Sequence, residues 1–158
     1  MSKPDTRRSR LTLSRYVRMR NGVPLGAGGS LRNMLLRSLG APSFSIFWQY
    51  WNPIFGYALG KYIYQPLKAV FPDWLSLLVT FVVCGMFHDM FATVFAGKLV
   101  YVCSVWFFFM GLGVVVSRVL RMDLSQSYWV MRAVANSMYV AACLTIALNV
   151  RWYFEGGA

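Results

Sequence analysis

The sequence predicts an all-α integral membrane protein, with three transmembrane helices preceded by amphipathic or re-entrant helices and a basic N-terminal arm. Two observations carry that expectation. The 158 residues are 58% hydrophobic and only 13% charged, where a soluble domain carries about a quarter charged residues. The charges are also unevenly placed. Nine of the sixteen Lys and Arg lie between Lys3 and Arg37. Between Asp73 and Leu120 the charged residues are Asp73, Asp89, Lys98 and Arg118, with Arg121 flanking. That stretch is long enough for two crossings, since a bilayer core needs about 20 helical residues.

Residues 1–30 read as a basic, flexible arm. It is not a secretory signal, because no apolar core follows the charges within it. Gly22 to Ser30 (GVPLGAGGS) reads as a linker. Residues 31–150 form one membrane domain, opening with interfacial or re-entrant helices over 31–70. Leu31, Met34, Leu35 and Leu39 share one face of a short amphipathic helix that Ala41-Pro42-Ser43 ends. Phe44 to Val70 (FSIFWQYWNPIFGYALGKYIYQPLKAV) is aromatic but broken by Pro53, Gly56, Gly60, Lys61 and Pro66. That mixture suits an interfacial or re-entrant helix better than a clean span, although a Pro-kinked span is the alternative.

Asp73 is placed to cap the next helix. The three spans are then 74–97, 99–120 and 128–150, with 151–158 as the tail. Basic residues favour the cytoplasmic side. The arm and the Arg118/Arg121 turn therefore share that side, with the C-terminus opposite if 44–70 does not cross. These features suit a bacterial inner membrane with a cytoplasmic N-terminus.

Net charge is +11. The basic residues sit beside spans rather than on a folded basic face, so membrane lipid explains them and nucleic acid does not. Cys84, Cys103 and Cys143 fall in different apolar segments without metal-type spacing, so no metal is expected. Gly111 and Gly113 suit close helix packing, Asn136 an interhelical hydrogen bond, and Trp106 to Phe109 a lipid-facing stripe.

His88 is the only histidine, and it lies near the bilayer midplane. An ionisable group at that depth is costly unless it is neutral, paired or hydrated. Geometry alone leaves two readings open, a catalytic or ligand-binding imidazole and a structural one bonded to a neighbouring helix. Adjacent helical residues diverge by about 100°, so of His88 and Asp89 one faces a cavity and the other a neighbouring helix.

Three pieces then occur in order: FWQYWN (Phe47 to Asn52), KYIYQPL (Lys61 to Leu67), and a helix ending in FVVCGMFHD (Phe81 to Asp89). Together they resemble the membrane-bound O-acyltransferase superfamily, in the diacylglycerol and sterol O-acyltransferase branch. The resemblance covers about a third of the chain. It implies acyl transfer from a thioester to the hydroxyl of a lipid or small molecule. His88 matches the family's catalytic histidine and would act as general base, and Asn52 matches its conserved asparagine. Trp48, Trp51, Tyr64 and Asp89 would line the substrate site, Asp89 standing where that branch often has glutamate. No cofactor is implied beyond an acyl-CoA or acyl-carrier-protein thioester as donor. Members of that family have many more spans, so the missing walls would come from a homo-oligomer or from other membrane protein subunits. The alternative is a non-catalytic transmembrane subunit that packs against a larger membrane complex.

Overall fold

Hydropathy dictates the long elements. In a computed structural model, which describes residues 12–154, the described residues are helical with short connections. Four helices come first: α1 (Leu13–Asn21), α2 (Ser30–Leu39), α3 (Phe44–Tyr50) and α4 (Pro53–Leu59). A π-helical turn over Gly60–Tyr64 joins α4 to α5 (Gln65–Lys68). Three long helices follow: α6 (Asp73–Ala96), α7 (Val102–Val119) and α8 (Trp129–Phe154). These three are long and apolar enough to cross a membrane.

Their ends have local causes. α6 stops at Gly97, whose φ of +64° is left-handed and suits a residue without a Cβ. Thr93 Oγ1 then accepts the Val100 N–H at 2.9 Å. Leu99 to Tyr101, expected inside the second span, are therefore spent on the turn. α8 runs past Val150 to Phe154.

The segment expected as a mobile arm is partly folded. Residues 1–11 lie outside the described part, as do 155–158 of the tail, but Leu13–Asn21 is a helix. Thr12 caps its start and Gly22, at φ +84°, ends it. Val17 and Asn21 are almost wholly buried. Asn21 Nδ2 donates to Ser30 Oγ at 2.6 Å, and Arg37 donates to the Arg20 carbonyl at 3.1 Å.

Pro53 to Lys68 is one continuous helix with a widened turn. Pro66 has no N–H, and its ring would strike the carbonyl four residues back. The π turn relieves this by letting the Gln65 N–H reach Gly60 O instead. Neither this helix nor α3 is among those able to span.

Small residues set the spacing of the long helices. A Cβ on Gly85 would lie 2.6 Å from the Cys103 carbonyl oxygen, and one on Gly111 2.8 Å from Phe81 Cβ. α3 packs across this bundle. Phe44, Phe47, Leu77, Cys84, Phe107, Met110, Val114 and Cys143 form the shared core. Asn136 ties the entry to α3 onto α8, donating to the carbonyls of Leu39 at 2.9 Å and Ala41 at 3.0 Å.

Candidate functional site

α6 and α7 are antiparallel, and one stripe of each faces α3 and α4. On α6 the stripe is Leu77, Thr80, Phe81, Cys84 and His88, at helical spacing. On α7 it is Phe107, Val114 and Arg118. Between these stripes and the aromatic residues of α3 and α4 lies a cavity of about 220 Å³. His88, Asn52, Trp48, Trp51 and Tyr64 all line it. Five of the six residues expected at the site are thus gathered from four segments of the chain. A second cavity of about 250 Å³ is lined by Asn52, Phe55, Phe87, His88 and Phe91. His88 and Asn52 therefore stand where two cavities meet.

The imidazole is oriented by its own helix. His88 Nδ1 lies 2.8 Å from the Cys84 carbonyl oxygen. A carbonyl only accepts, so Nδ1 carries the proton. In the neutral ring Nε2 then keeps its lone pair. The ring stacks on Phe107 at 5.1 Å and 27°, and meets the edge of Phe55 at 6.2 Å.

Asn52 has a backbone task that its sequence context did not disclose. It adopts φ 39° and ψ 70°, and its side chain accepts the Phe55 N–H at 3.3 Å to cap α4. Asn tolerates the left-handed region better than most residues. With Oδ1 engaged in the cap, the amide NH₂ is the group left to donate. Trp48 packs edge-on against Phe81 at 5.1 Å, and Trp51 stacks on Phe47 at 5.5 Å.

Asp89 departs from the expected substrate role. It is 4% exposed and turned away from the cavity. Its carboxylate accepts the N–H groups of Cys103 at 2.8 Å and Ser104 at 2.6 Å. These belong to the first turn of α7, where orphan N–H groups and the helix dipole favour an anion. The divergence of adjacent helical residues sends His88 to the cavity and Asp89 to α7.

At the far end of the cavity sit Tyr16, Ser45, Gln49, Tyr64 and Arg118. Arg118 Nε donates to Ser45 Oγ at 2.9 Å, and its Nη1 lies 3.4 Å from Asp73. Asp73 is the first residue of α6 rather than its cap. Its carboxylate takes the Tyr64 hydroxyl and, at 2.8 Å, the Lys68 ammonium. The hydrogen bond to Asp73 holds Lys68 above its ordinary pKa.

Phe107, Arg118, Tyr16 and Gln49 line the cavity without having been expected there. Phe107 belongs to the stripe expected to face lipid, yet it is 8% exposed and carries the imidazole. The spacing of Phe107, Val114 and Arg118 on one helical face was the available signal. Comparison with protein-family models, with curated proteins and with solved structures finds no match to this chain.

Proposed function

We propose that this chain is an acyltransferase-like membrane protein, moving an acyl group from a thioester to the hydroxyl of a lipid or small molecule. One observation carries the reading. A single cavity is lined by both His88, with Nε2 free to accept a proton, and Asn52, with amide hydrogens free to donate. Those are the two groups that the resemblance to membrane-bound O-acyltransferases requires.

The chemistry follows from these atoms. His88 Nε2 removes the acceptor hydroxyl's proton as the oxygen attacks the acyl carbonyl carbon. Negative charge gathers on the carbonyl oxygen, where the Asn52 amide is suited to stabilise it. The carbon–sulfur bond then breaks, and the departing thiolate takes the proton from the imidazolium. The protein would sit in a bacterial inner membrane with its N-terminus in the cytoplasm.

A second observation favours a partner. In the isolated chain His88 is exposed, and the cavity it shares with Phe87 and Phe91 opens on the outer face of α6. Lipid, a second copy or another membrane subunit would complete that wall. A non-catalytic subunit would use the same face for packing alone.

The test is acyl-CoA turnover by the purified protein in lipid nanodiscs with long-chain alcohols as acceptors. His88→Ala is expected to abolish it, and turnover surviving that change would overturn the assignment. Asn52→Gly keeps the backbone conformation but removes the amide. It is expected to fold and to lose about 10²-fold or more in kcat, the usual effect of deleting one oxyanion donor.

A further inference from the structure

We infer that α1 is a lid over the polar end of the cavity, closed in this structure, and that it swings on the glycine-rich linker 22–29 to admit a ligand. Such a lid serves any molecule that enters at that end, whether or not the chemistry at His88 is acyl transfer.

Position comes first. Tyr16 of α1 is part of the cavity lining, together with Ser45, Gln49 and Arg118. Every other lining residue comes from Ser45 or later in the chain, so the frame of the cavity survives without α1. The Tyr16 ring meets Tyr57 of α4 at 5.5 Å. Arg20, one turn on, donates from its guanidinium to Gln49 Oε1, and Gln49 lines the same end. Lifting α1 would take the Tyr16 ring out of that wall and free the Gln49 side chain. The polar end would then face water, and reseating α1 would exclude it again.

The seat is weak and the linker is loose. Val17 is the one apolar side chain that α1 buries fully. Against it stand two buried polar atoms, Arg20 Nε and Asn21 Oδ1, that hydrogen-bond nothing among the described residues. A buried polar atom without a partner is destabilising, and lifting α1 opens both to water. A segment with so few buried apolar contacts opens before the rest of a fold does. In the linker, Gly26 and Gly29 both have φ of +79°, the left-handed region that glycine enters freely. A Cβ on Gly26, Gly28 or Gly29 would meet nothing within 4 Å, so this part of the linker is not packed against the helices it joins. Asn33 and Arg37 of α2 donate to the carbonyls of Asn21 at 3.3 Å and Arg20 at 3.1 Å. The C-terminal end of α1 is thereby tethered beside the hinge, and the Tyr16 end is the one that travels.

Two measurements on the full chain in nanodiscs test this: amide hydrogen exchange for the motion, and thiol labelling for the mouth. The amides of residues 17–21 are expected to exchange as a group, about tenfold or more faster than the bonded amides of α2. Val17→Ala removes two buried carbons from the seat and is expected to speed that exchange about tenfold further. Alanine favours helix over valine, so unwinding of α1 alone would be slowed by the same change. Ser45→Cys puts a thiol in the covered end of the cavity. Its labelling by a water-soluble maleimide, above the background of the three native cysteines, is expected to rise by the same factor when Val17→Ala is added. Thr80→Cys, on the α6 wall of the cavity, is the second reporter should Ser45→Cys disturb the bond to Arg118. Exchange and labelling that rise together support the lid, with α6 and α7 amides unchanged as the sign of an intact bundle. Amides of α1 as slow as those of α2 would overturn it. So would faster exchange in Val17→Ala with labelling unchanged, because α1 would then fray without opening the cavity.

Discussion

At the residue scale, two neighbours on α6 point into different surroundings. His88 faces the cavity, while Asp89 spends both carboxylate oxygens on the first turn of α7. Those two N–H groups are half-buried between α6 and α7 and have no other acceptor in their own helix. Asp89→Ala is therefore expected to destabilise the bundle by about 2–3 kcal/mol, the scale of losing hydrogen bonds to a charged group. Denaturant titration in detergent micelles would measure this. The acyl-transfer rate per folded molecule should stay within a few-fold of the wild type. A stable Asp89→Ala protein that has lost donor binding would return Asp89 to the substrate site. Sequence alone gave the divergence of the pair, because helical geometry fixes it. Which residue faced which way depended on where α7 begins, and the Thr93-bonded turn at Leu99–Tyr101 hid that.

At the scale of elements, close approach of α6 and α7 is what brings Phe107 onto His88. Gly85 marks the contact, since an added Cβ would lie 2.6 Å from one backbone atom and 2.7 Å from another. Backbone cannot step aside as a side chain can. Gly85→Ala is expected to cost about 1–3 kcal/mol by forcing the helices apart. Gly56, inside α4, is the control, because its Cβ would meet nothing within 4 Å. Gly56→Ala should stabilise by about 0.5–1 kcal/mol through helix propensity alone. Equal effects in a thermal unfolding series would show that the α6–α7 contact does not set the spacing. The long helices were legible because hydropathy over a whole span is a strong signal. α1 was not, because its few apolar residues are set among arginines. Its inward side, with Val17 and Asn21 buried and Tyr16 and Arg20 half-buried, is visible only once a partner surface exists. The π turn was unreadable because it answers a clash at Pro66 that requires the helix to be present already.

At the scale of the molecule, the charges and the cavity share a direction. The cations of α1, α2, Lys68, Arg118, Arg121 and Arg132 lie toward the end where α6 starts and α7 stops, and Lys98 and Arg151 lie toward the other end. Basic residues favour the cytoplasmic side, so three spans are expected to put α1 and the end of α8 on opposite sides. A fluorescent protein fused before Met1 is expected to fluoresce in cells, and alkaline phosphatase fused after Ala158 to be active outside the cytoplasm. The outcome bears on function as well as topology. On the proposed acyl transfer, a thioester donor such as acyl-CoA is charged and does not cross a bilayer unaided, so the Arg118 end of the cavity is expected on the side where such donors are made. Reporters with the opposite pattern would put Arg118 on the far side of the membrane. His88 would then have no route to such a donor through this cavity, and the polar end would need another occupant.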